Sequence, residues 1–267
     1  MISESLGSSP VEWAGKPYPE IVDIAEQDGS VLVIPVGSLE QHGYHLPTAT
    51  DTILVDVIAH GGAEQVMDEL PILVTPPVWT GYSPHHMSFG GTVTADYETL
   101  LELLEETAAA ALDNSFDVCL YVNGHGGNRS LIGAATNSVG HDYPEVELFG
   151  LTYFTLGADF VPKIRDSDIG GIVHGGELET AMIQHLRPDL VREDKIEGTH
   201  LDKPFSLMSN DLMEGGALGV SAEMHQYTDS GAIGDPELAT AEKGEEAYEK
   251  YCEAMAELLR EIHEKNR

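Results

Sequence analysis

The sequence predicts an α/β fold: one single-domain, three-layer structure around a largely parallel sheet. Two observations carry that prediction. Short, continuous apolar runs at 31–36, 71–79, 116–122 and 146–153 alternate with longer stretches of helical periodicity. The runs are apolar at nearly every position, as strands covered on both faces are. A third observation gives the fold a purpose. The polar, potentially chemical residues cluster just past the ends of these runs, where open α/β sheets place their ligands.

Residues 1–18 are polar, carry Gly, Pro and Ser, and read as an irregular lead-in. A short helix is expected at 18–27. The run at 31–36 is β-branched and closed by Gly37. Residues 52–70 read as a helix, with Leu54, Val55, Ile58, Ala59 and Ala63 at helical spacing. A second strand at 71–79 is bounded by prolines, and 81–92 is a loop containing His85 and His86. Residues 96–112 form an amphipathic helix on Leu100, Leu101, Leu104, Ala108 and Leu112. The strand at 116–122 runs directly into Asn123-Gly-His125-Gly-Gly-Asn128, followed by a helix at 129–138. After the strand at 146–153, a Gly-rich stretch at 155–173 leads to His174-Gly-Gly-Glu177-Leu-Glu179-Thr180 and a helix through His185. Residues 188–236 carry many turn formers and little periodicity, and are expected to serve as a lid or an assembly segment. A closing helix at 242–264 presents Ala247, Tyr251, Ala254, Leu258 and Ile262 on one side. Neither a repeat nor a linker divides residues 1–267.

Composition excludes several function classes. The formal charge is −33, from 46 acidic against 13 basic residues. Such a field repels nucleic acid and anionic membranes, so neither is expected as a partner. Acidity spread along a globular chain with few lysines fits a cytoplasm held at high salt, where screening relieves the self-repulsion. Cys119 and Cys252 are the only cysteines, too few for a disulfide framework or a cysteine-rich zinc site. No signal peptide or membrane span is read from the sequence, and a cytoplasmic location is expected.

Glu40, His42, His45 and Asp51 fall within a dozen residues after the first strand, and resemble half of a metal site. Asp51 also stands where a helix N-cap would. His125 sits at a tight glycine-rich turn, open to three readings: a ligand, a backbone-bonded turn histidine, or part of a phosphate cradle. Glu177 and Glu179 open a helix, where acidic residues are favoured by the dipole in any case. His86 is either a pocket residue or a satisfied loop histidine.

The combined pattern resembles a known family. Gly37-Ser-Leu-Glu40-Gln-His42-Gly-Tyr-His45-Leu-Pro47 with Asp51 is similar to the first signature of the creatininase (creatinine amidohydrolase) family. Asn123–Asn128 and His174–Thr180 resemble its second and third motifs, the former in its glycine-rich form. Ser83–Thr92 and Gly234-Asp235-Pro236 with Ala241–Gly244 resemble two further patterns, so the likeness spans 31 to about 245.

The resemblance implies two divalent ions per chain, Zn, Mn or Fe. Glu40 and His125 would hold one, His42 and a second carboxylate the other, and Asp51 would bridge them. Creatininases proper carry that carboxylate where this chain has Gly127, so Glu177 is expected to replace it. A hydroxide between the metals would attack a small-molecule amide, with His174 shuttling a proton. Asn123 and Asn128 would orient the turn or substrate; His45, His86 and Glu179 would stand behind the ligands or line the pocket.

The implied activity is hydrolysis of a non-peptide C–N bond. Only Trp13 and Trp79 are present, against the tryptophans that surround the substrate in creatininases proper, so creatinine itself is disfavoured. Relatives with the glycine-rich motif include a deformylase of formylaminopyrimidine nucleotides in flavin and deazaflavin synthesis, and a peptidase trimming a peptide-derived redox cofactor. A nucleotide substrate would need Arg129, Lys163 or Arg165 as its cationic contact. An alternative of another class is a catalytically silent metal-binding scaffold. The family also implies a homo-oligomer, often a hexamer.

Overall fold

The structure is a computed structural model and describes residues 6–267. The first five residues of the expected lead-in lie outside the described residues. Four parallel strands, β1 (Val31–Val36), β2 (Ile72–Val74), β3 (Val118–Asn123) and β4 (Glu147–Thr152), form the central sheet in the order β2-β1-β3-β4. The chain steps to one side of β1 to make β2, then crosses back to make β3 on the other side. The switch point therefore lies between β1 and β3, which pair in register from Val31↔Val118 to Val36↔Asn123. A crevice opens beyond the carboxyl ends of such a pair.

Helices cover both faces because alternate residues of each strand are apolar in both directions. On one face, Val31, Val33, Leu120 and Val122 pack against α2 (Thr50–Glu64), α5 (Glu177–Leu186) and α6 (Ala241–Asn266). On the other, Leu32, Ile34, Cys119 and Tyr121 pack against α1 (Tyr18–Ala25), α3 (Tyr97–Leu112) and α4 (Arg129–Asp142). This is the three-layer arrangement that the sequence predicts. Among the described residues, no helix is long and apolar enough to cross a membrane.

Several elements differ in extent from expectation. β2 is three residues long rather than nine, because Pro76 and Pro77 lack amide hydrogens; only Val78 returns to bridge Val36. α2 starts earlier, at Thr50, with Ala49 as its N-cap and no side-chain cap bond, so Asp51 is a first-turn residue rather than the cap. α6 buries Met255 and Leu259 where Ala254 and Leu258 were expected, a rotation of about one residue. β5 (Ile172–His174) pairs antiparallel with β6 (Ile233–Gly234) in a separate two-stranded sheet. Strands this short carry no readable alternation.

Two glycines decide how closely α2 approaches the sheet end. A Cβ at Gly37 would lie 2.6 Å from Thr52 Cα, and one at Gly124 would lie 2.8 Å from the Asp51 carbonyl oxygen. With hydrogen alone at both positions, the start of α2 seats directly on the β1 and β3 ends, and Asp51 enters the crevice.

Candidate active site

Glu40 and His42 leave the sheet on the segment after β1, His125 on the turn after β3, Asp51 from the first turn of α2, and Glu179 from the first turn of α5. All five are buried. His42 Nε2 is 3.1 Å from Asp51 Oδ1, and His125 Nδ1 is 3.1 Å from both Glu40 Oε1 and Asp51 Oδ2. Three overlapping groups of donor atoms result: Glu40, Asp51 and His125; His42, Asp51 and Glu179; Glu40, His42 and His174, each within 4.8 Å. Asp51 belongs to the first two.

The expected position of Glu177 is corrected. Glu177 is turned away from the cluster: its carboxylate accepts from Lys243 Nζ (2.5 Å) and from the backbone amides of Asp166 (2.9 Å) and Ser167 (2.8 Å). Burial raises its pKa, but those donors outweigh it and hold the group below the usual carboxylate value. Glu179, expected to stand behind the ligands or line the pocket, is the α5 carboxylate that reaches the cluster. Side chains on a helix tilt toward its N-terminus, so a carboxylate at the third position folds back over the helix start. There Glu179 Oε2 accepts from the Gly175 amide at 2.6 Å. Gly127 could not have carried the ligand without rearrangement, since a Cβ there would overlap His125 Nε2 and lie 2.5 Å from the Tyr82 carbonyl.

The hydrogen bonds behind the cluster fix which atom of each imidazole faces it. His42 Nδ1 donates to the Glu40 carbonyl (3.1 Å), leaving Nε2 toward Asp51. His125 Nε2 lies 3.1 Å from Ser83 Oγ and 3.2 Å from the Tyr82 carbonyl, leaving Nδ1 inward. Such outer bonds set the tautomer of a metal-binding histidine. Since a carboxylate only accepts, Ser38 Oγ donates to Glu40 Oε2 (3.0 Å). Ser83 must then donate to Ser38 (2.7 Å) and accept from His125. One chain of hydrogen bonds thus ties His125 to Glu40.

The electrostatics call for positive charge at the centre. Burial lowers the His42 pKa, yet Asp51, Glu179 and Glu40 outweigh it and hold it up at about 9. His125 is also raised well above its ordinary value, burial being overcome by Glu40 and Asp51. Glu179, buried beside Asp51, is pushed up to about 7. Glu40 Oε1 and Asp51 Oδ2 are buried without any hydrogen-bond partner. Oxygen and nitrogen donors about 3 Å apart match the edge of a coordination shell with bond lengths of about 2.0–2.2 Å. The donor set therefore fits hard-to-borderline divalent cations.

His174, on β5, donates from Nε2 to the Gln41 carbonyl (2.6 Å) and directs Nδ1 at Glu40 Oε1, 3.6 Å away. Burial and the neighbouring His42 charge push its pKa down to about 3. His86 receives a hydrogen bond at Nδ1 from the Gln41 side chain (2.8 Å), with Nε2 3.3 Å from Glu40 Oε1. His45 stands outside the cluster, donating to Thr180 Oγ1 (2.9 Å), and burial with the His42 charge lowers it to about 4. The asparagines orient backbone. Asn123 spans the His125 amide and carbonyl, while Asn128 joins the Gly37 carbonyl to the Tyr82 amide. A cavity of about 350 Å³ opens over Glu40, Asp51, His125, His174 and Glu179.

Sequence reasoning missed Gln41, Ser38, Ser83 and Lys243. Gln41 and Ser38 lie inside the first signature, beside residues already named, and Ser83 and Lys243 fall inside the two further patterns; the roles of the last two depend on partners far away in sequence, His125 and Glu177.

The family model for creatininase, described as creatinine amidohydrolase, matches residues 17–259. The chain belongs to the creatininase family. It is a hydrolase of C–N bonds. The mycofactocin precursor peptide peptidase of Mycolicibacterium smegmatis is 33% identical over 233 residues, covering 86% of this chain and 84% of that protein. The 3-dehydro-scyllo-inosose hydrolase of Thermotoga maritima is 29% identical over 253 residues, covering 88% and 78%. The solved structure titled "Creatininase Mn" superposes with a TM-score of 0.80 at 24% identity, covering 94% of this chain and 98% of the other, and shares its fold.

Proposed function

We propose that this creatininase-family chain hydrolyses a small-molecule amide using two divalent cations held by Glu40, His42, Asp51, His125 and Glu179, with Asp51 shared between them. The observation that carries this reading is the pair of buried oxygens that no hydrogen bond satisfies, Glu40 Oε1 and Asp51 Oδ2, both facing His125 Nδ1, whose opposite ring nitrogen is already committed to Ser83. Bound divalent ions would supply Lewis acidity, polarising an amide carbonyl and acidifying water.

The chain's own part is positioning and proton transfer. His174 stays neutral through burial, and its Nδ1 is free to accept a proton and deliver it to the leaving nitrogen. Gln41 keeps that histidine and His86 in place: its backbone carbonyl accepts from His174 Nε2, while its side-chain amide donates to His86 Nδ1 and to the Gly231 carbonyl (3.0 Å). Ser209, Leu212, Val220 and Met224, from the 188–236 segment, line the cavity, which supports a lid role for that segment. The charge of −33 supports work in a high-salt cytoplasm, and the family likeness supports a homo-oligomer. The 33% identity to a precursor peptide peptidase favours a second reading, in which the amide lies at the end of a peptide.

Metal analysis with an amide screen in molar KCl tests the main reading. Two ions per chain and chelator-sensitive hydrolysis are expected. Two tightly held ions with no turnover of amides, formamides or lactams would identify a scaffold instead.

A further inference from the structure

The cavity over the cluster has one basic Lys or Arg side chain among its described lining residues, Arg129 at the start of α4. The other candidate cations are excluded. Arg165 is committed to Asp211 (2.9 Å) and to the Ser167 carbonyl (2.8 Å), and Lys163 does not line the cavity.

Arg129 has no carboxylate partner among the described residues, although the chain carries 46 acidic residues against 13 basic ones. Its guanidinium lies over the Phe154 ring, 5.0 Å from the centroid. Phe154 is itself buried and lines the same cavity. The ring contact occupies one side of the guanidinium and leaves N–H donors without a carboxylate partner among the described residues, and a guanidinium can receive a planar or tetrahedral oxyanion in two parallel hydrogen bonds. The backbone from which it springs is held in place, because Asn128, the preceding residue, bonds to Gly37 and Tyr82.

We propose that Arg129 is the specificity residue of this site and that the substrate is an anionic amide, carrying a carboxylate or phosphate group that docks on Arg129 while its amide lies over the Glu40–Asp51–Glu179 cluster. This rests on the amidohydrolase reading above. An anionic substrate must approach a chain of charge −33, and an exposed guanidinium on the cavity wall, with no carboxylate partner among the described residues, offsets that repulsion where it matters.

The test uses the metal-loaded, full-length protein in molar KCl and a chain-length series of ω-(formylamino)alkanoates. These are compared with the matching neutral ω-(formylamino)alkanols, which carry no second amide, and with ω-(formylamino)alkyl phosphates. At the chain length that spans the site, kcat/KM for the charged compound is expected to exceed that for its neutral partner by about 10–100-fold, the worth of charge-assisted hydrogen bonds. The phosphate and carboxylate arms identify which oxyanion is preferred. In Arg129→Gln the charged-to-neutral ratio falls toward one, and Arg129→Lys recovers part of it. Isothermal titration with the amine products, which hold no amide to turn over, gives a readout independent of catalysis: the ω-aminoalkanoate binds wild type more tightly than the matching ω-aminoalkanol, and Arg129→Gln loses that difference.

Equal turnover of charged and neutral formamides by wild type overturns the assignment of Arg129 while leaving the amidohydrolase reading intact. A charge preference that survives in Arg129→Gln, folded by its melting temperature, also overturns it. If no formamide is turned over, the hydrolysis reading is in question, and the product titrations alone then decide whether Arg129 receives an anion.

Discussion

Glu177 and Glu179 stand two residues apart at the start of one helix, one bonded to Lys243 and the other turned to the donor cluster, and the function we propose gives them opposite tasks. Replacing each with glutamine separates the tasks. Glu177→Gln removes the Lys243 ion pair and one of the two carboxylate oxygens that accept from backbone amides, in a spot where the glutamate side chain is 2% exposed. Charge-assisted hydrogen bonds contribute about 1.5–3 kcal/mol each, and breaking a buried pair by removing one partner costs about 3–5 kcal/mol. Because Lys243 is partly exposed and retains Asp166 at 2.7 Å, about 2–4 kcal/mol is expected. For 267 residues the unfolding entropy is about 0.56 kcal/mol per kelvin, so the melting temperature should fall by about 4–7 °C. Metal stoichiometry should not change.

Glu179→Gln should do the reverse. The variant still accepts from the Gly175 amide and loses a charge that burial already disfavours, so the metal-free melting temperature should move little. A 100-fold loss of metal affinity would remove about 2.7 kcal/mol of ligand-linked stability, or about 5 °C of the metal-induced rise in melting temperature. Calorimetry with and without Zn²⁺ or Mn²⁺, and elemental analysis of the dialysed proteins, measure both effects. The reasoning fails if Glu177→Gln loses an ion while Glu179→Gln keeps its full complement.

Gly127→Glu, which restores the carboxylate position of creatininases proper, should bind less metal than wild type rather than more, because any Cβ there displaces His125; elemental analysis decides. Ser83→Ala breaks the hydrogen-bond chain between His125 and Glu40 and should weaken metal affinity by about 10–100-fold in a chelator-competition titration. An unchanged affinity would mean that the chain does not orient the ligands. Raising KCl from about 0.1 to 1 M shortens the screening length from about 10 to 3 Å. The melting temperature should climb over that range, and a flat response would refute the idea that the charge of −33 is a liability in dilute buffer.

The fold was legible because Val31–Val36 and Val118–Asn123 are unbroken apolar runs and the helices between them repeat at helical spacing. β5 and β6 were not legible, since two or three residues cannot display a period. Within the site, the ordered motifs brought Glu40, His42, Asp51, His125 and His174 to one place in the structure. Choosing between Glu177 and Glu179 needed the direction in which α5 sets off, which no local pattern encodes. Its partner Lys243 arrives from the last helix, 66 positions later. The Ser38–Ser83 contact was hidden for the same reason, with 45 positions between two hydroxyls that only the folded crevice brings together.

The seating of α2 on Gly37 and Gly124 has a consequence for how this chain can drift. Both glycines act on the same object, the first turn that carries Asp51, and Asp51 is common to two of the donor groups. A methyl group at either position would lift that turn and spoil both groups at once, although neither glycine offers a donor atom. These two silent positions should therefore tolerate replacement no better than the carboxylate itself. Loss of one ligand elsewhere, such as Glu179, would leave half the centre standing. Failure here is mechanical and complete; failure there is chemical and partial.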